Sequence, residues 1–189
     1  MIAGTNSGCG KTTVTCAVLQ ALVNRKINVS SFKCGPDYID PMFHKTVIGT
    51  AAYNLDTYLM SNDAVNYLLN KNSGDIAVIE GVMGFYDGFS FTEKGSTHEL
   101  SEITDTDVIL VVNCRGMSLS AMALVKGFKE FRKNNIKGVI FNNLSEKLYG
   151  DLSEECRKIG LVPLGFLPNI KDVQISSRHL GLVLSLIHI

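Results

Sequence analysis

The 189-residue sequence lacks an excess of charge of either sign, because 18 lysine and arginine residues balance 18 aspartate and glutamate residues. It has no basic tail and no block of like charge, so nothing suggests a nucleic acid or an anionic membrane as a partner. It also lacks the run of about 18 apolar residues that a membrane-spanning helix needs. No secretory signal peptide is visible, since the first apolar residues run directly into a glycine-rich loop.

Paired cysteines are missing as well. The five cysteines are scattered, their number is odd, and no C-x-x-C pair occurs. This usage predicts reduced thiols and a cytoplasmic protein. The four histidines show no metal-ligand spacing, and His98 is expected to face solvent on a helix. No repeat or low-complexity segment interrupts the chain, and its length predicts one domain.

The glycine-rich loop near the start of the chain is the most informative motif that is present. Residues 4–13 read GTNSGCGKTT, whereas the usual phosphate-binding pattern is G-x-x-x-x-G-K-[ST]. Thr5 stands where the first glycine is expected, and Gly4 lies one residue earlier. Backbone amides of such loops point at phosphate oxygens, and the helix that follows adds the positive end of its dipole. The motif predicts a site for ATP and Mg²⁺ formed by Thr5, Asn6, Ser7, Gly8, Cys9, Gly10, Lys11, Thr12 and Thr13.

Short apolar runs alternate with helical patterns along the rest of the chain. Strands are predicted at residues 1–3, 29–33, 75–82, 108–113, 137–142 and 161–166, and helices at 11–24, 62–71, 119–133 and 146–159. This alternation predicts an α/β protein with a mostly parallel sheet and helices on both faces. Ligands of such sheets bind beyond the carboxyl ends of the strands. The residues just after each strand are therefore the candidates for function.

The second predicted strand leads into KCGPDYIDP at residues 33–41. Lys33, Asp37, Tyr38 and Asp40 are crowded into this one strand exit. Turn chemistry alone would account for Gly, Pro and Asp, but a lysine at the strand end and two aspartates exceed what a turn needs. We therefore expect a functional role for this segment.

Polar residues follow the later strands too. Glu80 ends the third predicted strand next to the phosphate loop, which is the usual place for a second contact to Mg²⁺. Asp87 either assists ligand binding or caps an Asp-Gly turn. Arg115, predicted at a helix start, either binds an anion or forms a surface salt bridge. Asn142 either hydrogen-bonds the adenine edge of ATP or belongs to an ordinary Asn-Asn turn.

Together, these segments resemble the cobyrinic acid a,c-diamide synthase family. The resemblance rests on the phosphate loop, on KCGPDYIDP and on VIEGVMGFYDG at residues 78–88, and CRGM at 114–117 and RHLGL at 178–182 are similar to that family too. It implies a P-loop NTPase fold of the dethiobiotin-synthetase-like type. It also implies an ATP-dependent amidoligase domain over residues 1–182, and residues 183–189 are expected to be a truncation or a non-native tail.

The resemblance implies a ligase of cobalamin biosynthesis that amidates the a and c acetate carboxylates of cobyrinic acid or hydrogenobyrinic acid. ATP would convert each carboxylate to an acyl phosphate, which would then react with ammonia. In this family a glutaminase domain normally releases that ammonia from glutamine, and this domain is expected to be absent here. Whether the protein forms a homodimer stays open. By resemblance, catalysis involves Lys11, Lys33, Asp37, Tyr38, Asp40, Glu80 and Asp87, and Mg²⁺ binds to Thr12, Asp40 and Glu80. The corrinoid would contact Asp37, Tyr38 and Ile39, with Arg115 as a further candidate.

Three alternatives remain open. A nickel-sirohydrochlorin a,c-diamide synthase forms the same bonds, and the sequence does not separate the two tetrapyrroles. A dethiobiotin-synthetase-like ligase shares the longer-spaced loop, but the segment GPDYIDP argues against it. A nucleotide switch, such as a partitioning ATPase or a metallochaperone, commonly has an extra lysine early in the loop, where this chain has Asn6.

Overall fold

The structure, a computed structural model, describes residues 1–169 and is built around a seven-stranded sheet. All neighbouring strands in the sheet run parallel, and their spatial order is β3-β2-β4-β1-β5-β6-β7. The strands are β1 (Ile2–Gly4), β2 (Val29–Cys34), β3 (Ala51–Leu55), β4 (Ile76–Glu80), β5 (Val108–Asn113), β6 (Ile136–Asn142) and β7 (Val162–Leu167).

Helices cover both faces of this sheet, so the predicted α/β class is confirmed. One face packs against α1 and the other against the later helices. The helices are α1 (Lys11–Asn24), α2 (Ile39–Phe43), α3 (Asn62–Asn72), α4 (Thr97–Ile103), α5 (Ser120–Glu130) and α6 (Glu146–Lys158), and a π-helical turn (His44–Ile48) follows α2.

The central strands are apolar on both sides because each face has its own core. Ile2 and Val111 lie in the cluster that contains Val14 of α1, whereas Ala3 and Leu110 lie in the cluster on the opposite face. Alternate residues of a strand point to opposite faces, so a strand covered on both sides reads as a continuous apolar run. β1 is thereby fixed at the centre of the sheet, and the loop that follows it starts at the carboxyl edge.

Several boundaries differ from the prediction. β3 was not predicted, because its sequence AAYNL contains no β-branched residue and the strand is a half-exposed edge. α2 was not predicted either, since Pro41 marks a turn as readily as a first helical turn. Gly81 and Val82 leave the sheet after Glu80. The motif at residues 178–182 and the predicted tail at 183–189 lie outside the described residues.

Two predictions about single residues were wrong. His98 does not face solvent: it is 7% exposed, and its ring packs edge-on against Phe85 while its nitrogens lie 3.0 Å from Glu93 Oε2 and from the Lys133 carbonyl oxygen. Arg115 is not at a helix start, because α5 begins only at Ser120 and Arg115 lies in the preceding loop. Within residues 1–169, every helix is too short or too polar to cross a bilayer.

Candidate functional site

A row of register partners crosses the carboxyl edge of the sheet. Asn54 of β3 pairs with Lys33 of β2, Lys33 pairs with Glu80 of β4, and Glu80 pairs with Ile2 of β1. Partners in neighbouring parallel strands project to the same face. A lysine and a glutamate that are far apart in sequence are thus placed side by side, next to the start of the phosphate loop.

The phosphate loop joins β1 to α1 and is shaped by glycines. Gly10 has φ of 106°, a left-handed conformation that favours glycine. A Cβ atom on Gly4 would lie 2.3 Å from Cys9 Sγ, so the buried Cys9 side chain fills the space that Gly4 leaves open. The early glycine therefore has a packing reason, and Cys9 is a structural residue of the loop.

Asn142, at the end of β6, braces the loop from outside. Its Nδ2 atom donates to the Cys9 carbonyl oxygen at 2.9 Å, and its Oδ1 atom accepts from the Asn143 amide at 3.0 Å. A Cβ atom on Gly10 would lie 2.2 Å from Asn142 Nδ2. Both ends of the amide are engaged within the chain, and the contact to adenine stays a prediction.

Lys11 opens α1 and is nearly buried, with 7% of its surface exposed. Its Nζ atom donates to the carbonyl oxygens of Asn6, at 3.1 Å, and Met83, at 2.5 Å. Burial lowers the pKa of Lys11, and the ammonium of Lys33 lowers it further, while nearby acidic groups partly oppose the shift. The ammonium is therefore held over its own loop, at the place where the motif predicts phosphates.

Lys33 lies at the centre of a buried charge cluster. Its Nζ atom is 2.8 Å from Asp40 Oδ2, 3.1 Å from Glu80 Oε1 and 3.9 Å from Asp37 Oδ2. Burial alone would lower the pKa of Lys33, but the carboxylates of Glu80 and Asp40 outweigh it and raise that pKa. Burial raises the pKa of Glu80, and Lys33 and Thr12 offset only part of that effect.

Thr12 links this cluster to the phosphate loop, since its hydroxyl donates to Glu80 Oε1 at 2.6 Å. Among the described residues, Glu80 Oε2 has no hydrogen-bond partner, although it lies 3.6 Å from His44 Nε2. A hydroxyl and a carboxylate at this spacing are the hard oxygen ligands that Mg²⁺ takes from proteins beside phosphates and water. The residues present therefore fit a Mg²⁺ site.

The segment after β2 is held in one conformation by its own polar groups. Asp37 Oδ1 accepts from the Ile39 amide at 2.9 Å, which forms an Asx turn at the start of α2. Asn54 Nδ2 donates to the carbonyl oxygens of Gly35, at 2.8 Å, and Asp37, at 2.6 Å. Tyr38 is 78% exposed, so its ring projects from a rigid loop into solvent beside the charge cluster.

The two remaining predicted residues, Asp87 and Arg115, differ in whether they contact the rest of the site. Asp87 Oδ2 accepts from the Gly84 amide at 3.0 Å, so its carboxylate stabilises the turn that follows β4. Arg115 is exposed, and within residues 1–169 its side chain forms no hydrogen bond or ion pair with the other predicted residues. The structure therefore brings the predicted residues of three loops together and leaves Arg115 apart from them.

Sequence reasoning missed several residues that support the site. His44 Nδ1 lies 2.7 Å from Ser31 Oγ, and its other nitrogen faces Glu80. Thr97 Oγ1 accepts from the Val82 amide at 2.9 Å and donates to the Val82 carbonyl at 3.0 Å, which holds the exit of β4. Both residues lie far along the chain from their partners, and no spacing signal marks them.

The chain is similar to known nucleotide-binding proteins. The family "CobQ/CobB/MinD/ParA nucleotide binding domain" matches residues 1–183. The chain belongs to this family. Its nucleotide-binding P-loop fold agrees with the loop between β1 and α1 and with the parallel sheet described above.

Relatives with curated names make the resemblance more specific. Cobyrinate a,c-diamide synthase from Thermoplasma volcanium is 45% identical over 187 residues, covering 97% of this chain and 41% of the relative. The enzyme of the same name from Clostridium acetobutylicum is 44% identical over 189 residues, covering 98% of this chain and 43% of the relative. The predicted resemblance is confirmed, and the chain spans about two fifths of the length of these relatives.

Solved structures share the fold at low sequence identity. The MinD cell division protein of Aquifex aeolicus superposes with a TM-score of 0.60 at 16% identity, covering 89% of this chain and 80% of that one. Hydrogenase maturation factor HypB of Archaeoglobus fulgidus gives a TM-score of 0.56 at 15% identity, covering 87% and 78%. These likenesses establish the predicted P-loop NTPase fold alone.

Proposed function

We propose that this nucleotide-binding domain catalyses the ATP-dependent amidation of the a and c acetate carboxylates of cobyrinic acid. The observation that carries the proposal is the cluster of Lys33, Asp40 and Glu80, joined to the phosphate loop through Thr12. A nucleotide switch needs a phosphate loop and a metal ligand, but its reaction does not require a buried lysine at the end of a second strand, where Lys33 lies. The names of the curated relatives support the same reaction.

Thr12 and Glu80 would hold Mg²⁺, with Asp40, whose Oδ2 lies 2.8 Å from Lys33 Nζ, as a further candidate ligand. The ion would supply charge neutralisation at the oxygens of the β- and γ-phosphates. Glu80 is fully buried and its Oε1 accepts from the Thr12 hydroxyl, so the two candidate metal ligands lie side by side. We include the loop residues from Thr5 to Thr13 as the phosphate cradle.

The first step is transfer of a phosphoryl group to the substrate. A carboxylate oxygen attacks the γ-phosphorus of ATP, the bond from γ-phosphorus to the β-bridging oxygen breaks, and ADP leaves with that electron pair. The product is an acyl phosphate. Lys11 and the loop amides stabilise the charge on the transferring group. Lys33, at the end of β2, neutralises the incoming carboxylate, and Asp37, Tyr38 and Ile39 contact the corrinoid beside it.

The second step forms the amide. The nitrogen of ammonia attacks the acyl carbon, the carbon–oxygen bond to phosphate breaks, and inorganic phosphate leaves while a proton passes to solvent. Asp87 keeps the loop after β4 in place through the Gly84 amide. In the longer relatives we expect the rest of the protein to deliver ammonia from glutamine.

The test measures ADP release by the purified chain with MgATP and ammonium chloride, with and without cobyrinic acid, and reads the corrinoid by mass spectrometry. We expect ADP release that depends on the corrinoid and two acid-to-amide conversions. Lys11→Met should abolish turnover, whereas Lys147→Met, which changes an exposed lysine on α6, should leave it unchanged.

Other outcomes separate the alternatives. ATP turnover that is indifferent to corrinoid would indicate a nucleotide switch and contradict the proposal. Turnover with nickel-sirohydrochlorin but not with cobyrinic acid would retain the amidoligase chemistry and change the substrate.

A further inference from the structure

Large aromatic side chains are exposed at the carboxyl edge of the sheet, beside the candidate site. Tyr58 follows β3, and Phe89 and Phe91 follow β4; Phe91 is 105% exposed and Phe89 is 64% exposed. The rings of Tyr58 and Phe89 are in contact, with centroids 5.2 Å apart. We call these three residues, with Lys94, the aromatic face. A cluster of exposed rings is uncommon on a soluble domain and marks a binding surface.

The aromatic face is built on rigid turns. The loop that carries it is closed by hydrogen bonds from the Gly88 amide to the Thr92 carbonyl, at 3.0 Å, and from the Phe89 amide to the Lys94 carbonyl, at 2.7 Å. Tyr58 is fixed in the same way, because its amide donates to Asp56 Oδ1 at 2.8 Å. The backbone that carries the rings is thereby held in place, and a backbone ordered before binding lowers the entropy lost when a ligand binds.

The loop of the aromatic face is anchored to the candidate site at both ends. At its start, the Phe85 amide donates to the Gly4 carbonyl at 2.8 Å, directly beside the phosphate loop. At its end, the Gly95 carbonyl lies 3.9 Å from Cys34 Sγ, next to Lys33 in sequence. The loop that carries Phe89 and Phe91 therefore begins beside the phosphate loop and ends beside the strand that carries Lys33.

The charge on the aromatic face narrows the ligand class. Lys94 Nζ lies 5.0 Å from the centroid of the Tyr58 ring, and within residues 1–169 it forms no ion pair. Aromatic rings beside an unpaired ammonium suit a large ring-shaped ligand that carries carboxylates at its rim. The three rings together expose on the order of a few hundred Å², less than the roughly 800 Å² per partner of a stable protein interface, so the size of the aromatic face favours a small ligand.

We propose that the aromatic face is the docking surface for the macrocycle of a tetrapyrrole polycarboxylate, with Lys94 pairing one of the carboxylates that does not react. This inference rests on the proposed function. It assigns the binding of the macrocycle to Tyr58, Phe89 and Phe91, apart from the residues that handle phosphate and the reacting carboxylate.

The experiment compares binding of cobyrinic acid to the whole chain and to a Phe89→Ser/Phe91→Ser variant by titration calorimetry with MgADP present. We expect the double variant to bind cobyrinic acid at least about ten-fold more weakly, with MgADP affinity unchanged. Lys94→Gln should weaken binding by a smaller factor. The matched control is Tyr67→Ser, because Tyr67 is an exposed ring on α3 with Lys71 Nζ 5.3 Å from its centroid; its affinity should equal that of the parent.

The outcomes separate this inference from the proposed function. Unchanged cobyrinic acid affinity in the double variant, while the parent binds and amidates it, would overturn the docking surface alone. A parent chain that binds neither cobyrinic acid nor sirohydrochlorin would overturn both. Light scattering of the parent and of the double variant completes the test. A parent that is a dimer and a double variant that is a monomer would assign the aromatic face to a second copy of the chain and contradict the inference.

Discussion

Lys33 Nζ and Glu80 Oε1 lie 3.1 Å apart because their residues are register partners on the adjacent strands β2 and β4. Both side chains are almost fully buried. Neither residue could stay ionised there alone, because burying an isolated charge costs on the order of several kcal/mol in lost hydration. The pair is therefore a single unit, in which Lys33 Nζ also contacts Asp40 Oδ2 and Glu80 Oε1 also accepts from the Thr12 hydroxyl.

Removing the lysine of this pair should destabilise the fold. In Lys33→Met, Glu80 and Asp40 would be left as buried carboxylates without their counter-ion, at a cost of about 3–5 kcal/mol in the free energy of unfolding. Urea denaturation followed by circular dichroism measures this. Lys126→Met is the control, because Lys126 forms an exposed pair with Glu130 at 3.8 Å and should cost less than about 1 kcal/mol. Equal effects of the two variants would contradict the buried-pair account.

Two glycines of the phosphate loop should respond differently to alanine. Gly10→Ala would place a Cβ atom 2.2 Å from Asn142 Nδ2, so the hydrogen bond from Asn142 to the Cys9 carbonyl oxygen must break. We expect the affinity for ATP to fall more than about ten-fold, equivalent to about 1.4 kcal/mol. Gly8→Ala meets nothing within 4 Å and should cost only the strain of its positive φ, about 1–2 kcal/mol of folding stability. Fluorescent-nucleotide titration separates the two, and equal losses of affinity would refute the role of Asn142.

Two buried threonines should respond to valine with opposite signs. Within the described residues, Thr15 Oγ1 is buried without a hydrogen-bond partner, so Thr15→Val removes an unsatisfied polar group and should stabilise the protein by about 1 kcal/mol. Thr97→Val breaks two hydrogen bonds to Val82 and should destabilise it by about 1–3 kcal/mol. Thermal unfolding of both variants beside the parent tests the sign, and a lower melting temperature for Thr15→Val would be the contrary result.

Cys34 should be inert to thiol reagents while the protein is folded. Burial raises its pKa to about 12, so the thiolate that reacts is scarce at pH 8 and increases about ten-fold with each pH unit. The unfolded thiol ionises from about pH 9. The free energy of unfolding should therefore fall between pH 9 and 12, by up to about 1.4 kcal/mol per pH unit from this group.

Cys34→Ala provides the comparison for that pH dependence. The parent should lose stability relative to this variant as the pH rises through the window from 9 to 12, whereas below pH 9 the difference should be constant. Urea denaturation at a series of pH values measures it. A constant difference across the whole range would show that the thiol ionises as readily in the folded protein as in the unfolded chain.

Elements with a strong local signal were predictable. The α1 bounds, 11–24, agree with the prediction, since a glycine loop precedes the helix and an apolar periodicity runs through it. β5 was also predicted with its observed bounds, because a strand covered on both faces is a continuous β-branched run. β3 has no such run, and its pairing with β2 depends on a position at the edge of the sheet that no local pattern shows.

The sequence by itself determined the chemistry of the site: a phosphate loop with Lys11 and Thr12, a carboxylate at the end of an apolar strand, and a lysine with two aspartates at another strand exit. Only the tertiary structure decided that Lys33 pairs with Glu80, that Asn142 braces Cys9 and that His44 and Thr97 support the site. The physical reason is that strand order and register are set by packing of the whole sheet, whereas a motif reports only the local backbone and the residue types it needs.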